Sequence, residues 1–184
     1  MHLRRHLVSP PNSPCGDTLC RRLYYPGMFI LIVGCGRVGS SVARAMLQDG
    51  HEVSCLDEDP ESHARLELGI DQSWEDLGGQ FTVGTGLEID ALNEAGIERA
   101  DAFIAATDGD NTNIVIAQIA KRRFNVPTVV ARILDPYRAE WYEHQGVHTI
   151  CPTKVAIEML ENDVREAAAK HTGAGDEQTT GTTG

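Results

Sequence analysis

The chain has 184 residues, of which 41% are hydrophobic, and a formal net charge of −11. No uninterrupted apolar stretch approaches the ~20 residues that a membrane-crossing helix needs. So acidic a chain also lacks the basic surface that nucleic-acid phosphates demand. A soluble single domain with two removable ends is the expectation.

Residues 1–27 contain Pro10, Pro11, Pro14 and Pro26, the pairs Arg4-Arg5 and Arg21-Arg22, and no helical or strand period. They have no apolar core of the kind a signal peptide carries. Met28 stands directly before the first apolar run, so 1–27 reads as a disordered extension or a mis-assigned start. Five cysteines without a repeated C-x-x-C fit a reducing, cytoplasmic compartment. Cys15, Cys20, His2 and His6 match no usual zinc-finger spacing, and no metal site is expected.

The apolar run Phe29–Val33 reads as a strand leading into Gly34-Cys35-Gly36-Arg37-Val38-Gly39. This is G-x-G-x-x-G between a strand and an amphipathic helix at 38–47. Gly34 permits the tight turn, Gly36 lets a pyrophosphate approach the backbone, and Gly39 lets helix and strand pack closely. The helix directs its free N–H groups at the phosphates. Cys35 fills the second loop position with a small side chain.

Further on, strands are expected at 52–56, 80–83, 102–106, 127–133 and 147–151. Helices are expected at 60–66, 88–95, 112–123, 135–145 and 153–168, with Gly50 and Gly96 as stops. Strands alternating with helices imply right-handed crossovers and a parallel sheet. The fold class is α/β: one doubly wound, six-stranded, Rossmann-like domain over 28–170 with strand order 3-2-1-4-5-6. The Gly/Thr-rich stretch 171–184 reads as a disordered tail.

In such a sheet the ligand lies beyond the carboxyl ends of the strands, at the switch point between strands one and four. Asp57, at the tip of strand two, is placed to accept hydrogen bonds from ribose hydroxyls. With Glu58 and Asp59 it would repel a 2′-phosphate, which favours NAD(H), ATP or ADP over NADP. Thr85 and Gly86 after strand three, and Thr107 and Asp108 after strand four, leave room for a flat base. Arg132 ends strand five on the same edge, and Arg37 adds positive charge to the phosphate loop. Asp108, Asp110 and Asn111 are read as caps of the helix that follows rather than as magnesium ligands.

The opening 28–39 resembles that of TrkA-N domains, also called RCK or KTN domains. The resemblance continues through Gly50-His51-Glu52-Val53, Asp57, Gly84-Thr85-Gly86, 92–101, Ala106-Thr107, Asp110-Asn111-Thr112-Asn113, Val130-Ala131-Arg132 and Asp135-Pro136. It implies a cytoplasmic regulatory subunit of a Trk/Ktr-type potassium uptake system, not an enzyme. By the resemblance it binds NAD(H), ATP or ADP, forms a dimer or ring, and works beneath a membrane potassium transporter. The same resemblance assigns the diphosphate to Gly34, Cys35, Gly36, Arg37, Val38 and Gly39, and the ribose to Asp57. Thr85, Gly86, Thr107, Asp108 and Arg132 complete the implied pocket, and Arg37 would sense terminal phosphates. Two departures stand out. Many relatives carry a second small domain, which is expected to be missing here. Pro152 is followed by Thr153 and Lys154 where some relatives have an acid near a divalent cation.

The last helix, with Ala156, Met159, Leu160 and Val164 along one side, is expected to pack on its own sheet or on a partner's. Two rival functions remain: a free-standing NAD(H) or redox sensor, and a small NAD-dependent oxidoreductase. The second needs a positioned acid or base, and the histidines fall in the tails or peripheral elements.

Overall fold

Five consecutive apolar residues, Phe29–Val33, form β1, and every one of them is buried. A strand apolar on both faces must be covered on both faces. In a computed structural model, which describes residues 27–173, that cover comes from two hydrophobic clusters. Ile30 and Ile32 join Val53, Cys55, Leu66 and Trp74 on one side. Phe29, Leu31 and Val33 join Leu92, Phe103, Ile116 and Ile133 on the other.

The elements are β1, α1 (Arg37–Gln48), β2 (Glu52–Asp57), a 3-10 turn (Pro60–Ser62) running into α2 (His63–Leu66), β3 (Gln80–Val83), α3 (Ile89–Glu94), a second 3-10 turn (Ile97–Arg99), β4 (Ala102–Ala105), α4 (Asp110–Arg122), β5 (Thr128–Arg132), α5 (Pro136–His144), β6 (His148–Ile150) and α6 (Pro152–Gly173). The six strands are parallel and ordered 3-2-1-4-5-6, as the alternating pattern requires. Gly50, at φ +89°, ends α1 in the left-handed region where a side chain would be strained. The expectations for 1–26 and 174–184 lie outside the described residues.

Register positions the site. Val33 of β1 pairs with Leu56 of β2 and with Ala105 of β4, and Leu56 pairs with Thr82 of β3. Three backbone bonds carry this ladder one step past the strands: Gly34 N–H to Leu56 C=O at 2.9 Å, Ala106 N–H to Val33 C=O at 2.7 Å, and Gly84 N–H to Asp57 C=O at 2.9 Å. Gly34, Asp57, Gly84 and Ala106 therefore emerge along one edge. The opposite edge is pinned by Asp101, whose carboxylate accepts the Phe29 N–H at 2.8 Å.

Two features depart from the sequence reading. Residues 67–79, which carry no clear period, contribute Trp74, wholly buried in the cluster beside α1 and α2. Its indole N–H donates to the Gln80 carbonyl at 3.0 Å. Helix α6 runs on to Gly173 and does not lie on its own sheet, since residues 153–171 are all exposed. Leu160 and Val164 are 67% and 69% exposed. No helix among the described residues is long and apolar enough to cross a membrane.

Trp74 thus closes one face of the sheet from an irregular segment. Trp74→Ala is expected to lower unfolding free energy by about 3–5 kcal/mol, measured by urea denaturation. Trp74→Phe, which loses the indole bond and part of the buried volume, should cost about 2–3 kcal/mol.

Candidate functional site

The edge formed by the strand tips opens into a cleft of about 610 Å³. Ten of the residues singled out from sequence line it together: Gly34, Gly36, Arg37, Val38, Asp57, Thr85, Gly86, Thr107, Asp108 and Arg132. Arg65, Glu58, Asp59 and Thr112 join them. A second cleft, of about 700 Å³, lies at the opposite end of β2 near Gly50, His51 and Trp74. It has no phosphate-type loop.

The three glycines of the loop have different physical reasons. Gly34 has φ +97°, and a Cβ there would lie 2.5 Å from the Thr107 backbone nitrogen. A Cβ on Gly39 would sit 1.8 Å from the Gly34 carbonyl oxygen, so only glycine lets α1 start this close to β1. Gly36 is unlike both. Its backbone, at φ −66° and ψ −166°, suits any residue, and a Cβ there would meet no protein atom within 4 Å. Packing does not require glycine at this position.

Cys35 and Gly39 do not line the cleft. The Cys35 side chain is buried in the core beneath the loop, and its N–H donates to the Asp57 carboxylate. Burial and, above all, the hydrogen bond with Cys35 hold the Cys55 thiol well above its ordinary pKa. Cys55 is accordingly a neutral, space-filling thiol. The other Asp57 oxygen accepts the Asp59 N–H at 2.9 Å. Both oxygens keep a lone pair for a ligand.

Across the cleft, one side chain missed by the sequence reading organises the wall. Asn113, in the first turn of α4 and only 1% exposed, uses all four of its hydrogen-bonding positions. Its Oδ1 accepts from the Thr107 N–H at 2.9 Å and the Thr107 hydroxyl at 2.7 Å. Its Nδ2 donates to the Thr107 and Arg132 carbonyls at 2.9 and 2.8 Å. Arg132 Nη2 also donates to the Thr107 carbonyl at 2.9 Å. Its Nε is buried without a partner, a donor left over at the cleft wall. An amide at the start of a helix was the available sequence clue to Asn113.

Asp110 and Asn111, in the first turn of α4, behave differently from the expected caps. Gly109 occupies the cap position, without a side-chain bond. Asp110 instead accepts the Leu134 and Asp135 N–H groups at 2.8 and 3.1 Å, tying the β5 exit to α4. Asn111 accepts from Arg138. The reason is tertiary: the chain leaving β5 brings two free N–H groups to Asp110. Asp135 does cap its own helix, accepting the Arg138 N–H at 3.0 Å.

Comparison with known proteins agrees with this architecture. The TrkA-N domain matches residues 30–153. The chain belongs to the TrkA-N domain family. It is 46% identical over 133 residues to the Trk system potassium uptake protein TrkA of Streptomyces coelicolor, covering 72% of this chain and 56% of that protein. It is 32% identical over 135 residues to a TrkA homolog of Methanothermobacter thermautotrophicus, covering 73% and 59%. This TrkA-N chain thus spans a little over half the length of those relatives. The GsuK channel bound to NAD has the same fold, with a TM-score of 0.62 at 21% identity over 79% of this chain and 24% of that one. GsuK bound to ADP gives 0.59 at 22% identity over 73% and 33%.

The glycines yield a paired expectation. Gly36→Ala should cost no more than about 1 kcal/mol of unfolding free energy, the glycine-to-alanine difference at a helix N-cap, while weakening nucleotide binding at least about tenfold, for the close approach it obstructs. Gly39→Ala should destabilise by about 1–3 kcal/mol or more, from overpacking. Denaturation and calorimetric titration on the same samples distinguish the two.

Proposed function

We propose that this TrkA-N domain is a cytoplasmic nucleotide-binding regulatory subunit of a membrane potassium uptake transporter. Gly36 is the observation that carries the nucleotide reading. It is a glycine that neither backbone conformation nor protein packing explains, at the N-terminus of a helix whose N–H groups face the cleft. Close approach of a diphosphate supplies the missing reason. The unpartnered Arg132 Nε in the far wall supports an anionic or polar ligand spanning the cleft.

Charge divides the cleft along its length. Asp57, Glu58 and Asp59 make the end of β2 acidic, while Arg37 and Arg132 stand at the loop and the far wall. Asp57 is held by two N–H groups and keeps acceptor capacity for ribose hydroxyls. A 2′-phosphate would meet three carboxylates there against one arginine, Arg65, which pairs with Asp59 at 3.9 Å, a balance that favours NAD(H), ATP or ADP over NADP. The polar cleft-facing side chains are acids, arginines and threonines, set among Val33, Val38, Leu56 and Leu87, a lining suited to binding. We read the protein as a sensor rather than an enzyme.

Regulation follows from linkage. A nucleotide shifts a dimer or ring between conformations only by its differential affinity for them. Arg37, exposed at the first position of α1, adds Coulomb attraction for a terminal phosphate, in its own cleft or a neighbour's. That difference between ATP and ADP would then act on the transporter. The TrkA names of the relatives support the transporter as partner, and the NAD- and ADP-bound GsuK structures support the ligand class.

Thermal unfolding with NADH, NAD, ATP, ADP and NADPH tests the ligand. At a hundredfold excess over Kd a bound nucleotide stabilises by about 2.7 kcal/mol, and NADPH is expected to stabilise least. A strongest shift with NADPH would contradict the role given to Asp57. Arg37→Ala should narrow the difference between ATP and ADP and weaken ATP more than NADH, the terminal phosphate being the group it addresses. Co-purification with a membrane potassium transporter tests the partner.

A further inference from the structure

His63 opens α2 and Glu67 directly follows its last residue. At a spacing of i, i+4 the two side chains leave the helix on the same side. The irregular segment that carries Trp74 brings Glu75 to them, with its Oε1 2.8 Å from His63 Nε2. One ligand atom from each of the three residues lies within 4.8 Å of the other two. None of the three lines the cleft at the strand tips.

These groups are held in place by neighbours that do not compete for their outward-facing atoms. The His63 ring packs edge-on against Phe81, with centroids 5.2 Å apart. Glu67 Oε1 accepts the backbone N–H of the buried Trp74 at 3.2 Å. His63 is only 29% exposed. Such outer contacts orient a ligand before the ion arrives. Another histidine–glutamate pair, His148 with Glu143, lacks these properties. It is 3.3 Å apart, its histidine is twice as exposed at 58%, and no second carboxylate joins it among the described residues.

We propose that His63, Glu67 and Glu75 form a binding site for one divalent first-row transition cation, for which zinc(II) is the probe. A neutral imidazole and two carboxylates suit zinc better than magnesium or calcium, which prefer oxygen alone. Ligand atoms about 2.0–2.2 Å from a tetrahedral ion are about 3.3–3.6 Å apart. The three side chains reach that spacing by shifts of about an ångström, and water completes the shell. The ion clips residues 67–79 to α2 from both ends of the segment, and so secures Trp74 in the core.

Equilibrium dialysis and calorimetry of the full chain with zinc, with cobalt(II) absorption as a second readout, test the site. The parent is expected to bind zinc saturably, to unfold at a higher temperature with it, and to give a cobalt spectrum without a thiolate charge-transfer band. His63→Gln and Glu75→Gln should each weaken zinc at least about tenfold while the metal-free proteins unfold near the parent's temperature. His148→Gln should bind as the parent does. Should His63→Gln fail to fold, the more exposed Glu75→Gln decides. Absence of saturable binding by the parent, parental affinity in Glu75→Gln, or a cobalt–thiolate band placing the ion on cysteines would overturn the proposal.

Discussion

The close approach of α1 to β1 is the constraint on which the cleft depends. A Cβ at Gly39 would lie 1.8 Å from the carbonyl oxygen of Gly34, so the helix begins almost on top of the turn. Its first N–H groups consequently stand at the end of the sheet, not beside it. Gly34 itself can turn there only because φ +97° is open to glycine and because no side chain competes with the Thr107 backbone. Two glycines thus fix where the first N–H groups of α1 stand relative to the sheet.

The remaining parts of the cleft hang on that junction through hydrogen bonds that cross between elements. Asp57 reaches from β2 to the Cys35 N–H and so couples the acidic tip to the glycine loop. On the other flank Asn113 ties Thr107 to Arg132, linking β4, α4 and β5. A buried amide with every position satisfied holds its neighbours in one geometry, because any displacement leaves a buried polar group unpaired. The wall opposite the glycine loop is therefore held in one geometry.

Much of this was legible along the chain. The all-apolar β1, the alternation of strands with helices and the spacing of Gly34, Gly36 and Gly39 led to the sheet order and the cleft edge. Asp57 and Arg132 followed from their place at strand tips. Asn113, Arg65 and Trp74 did not. Asn113 acts through Thr107 and Arg132, six and nineteen residues away, and Trp74 enters the core from a segment without periodicity. Asp110 looked like a cap and serves instead as an acceptor for the β5 exit. In each case the partner is remote in sequence, and local pattern carries no record of it.

The sequence by itself determined the parallel Rossmann-type sheet, because hydrophobic period and glycine spacing are local consequences of backbone sterics, and its motifs carried the resemblance to the family. It also placed Asp57, Glu58, Asp59, Arg37 and Arg132 at the cleft, though not Arg65. Only the tertiary structure decided which glycine is free of packing, that the apolar side of α6 does not lie on its own sheet, and that His63, Glu67 and Glu75 converge. Those facts depend on distances between elements, which side-chain packing sets once the strands have found their register.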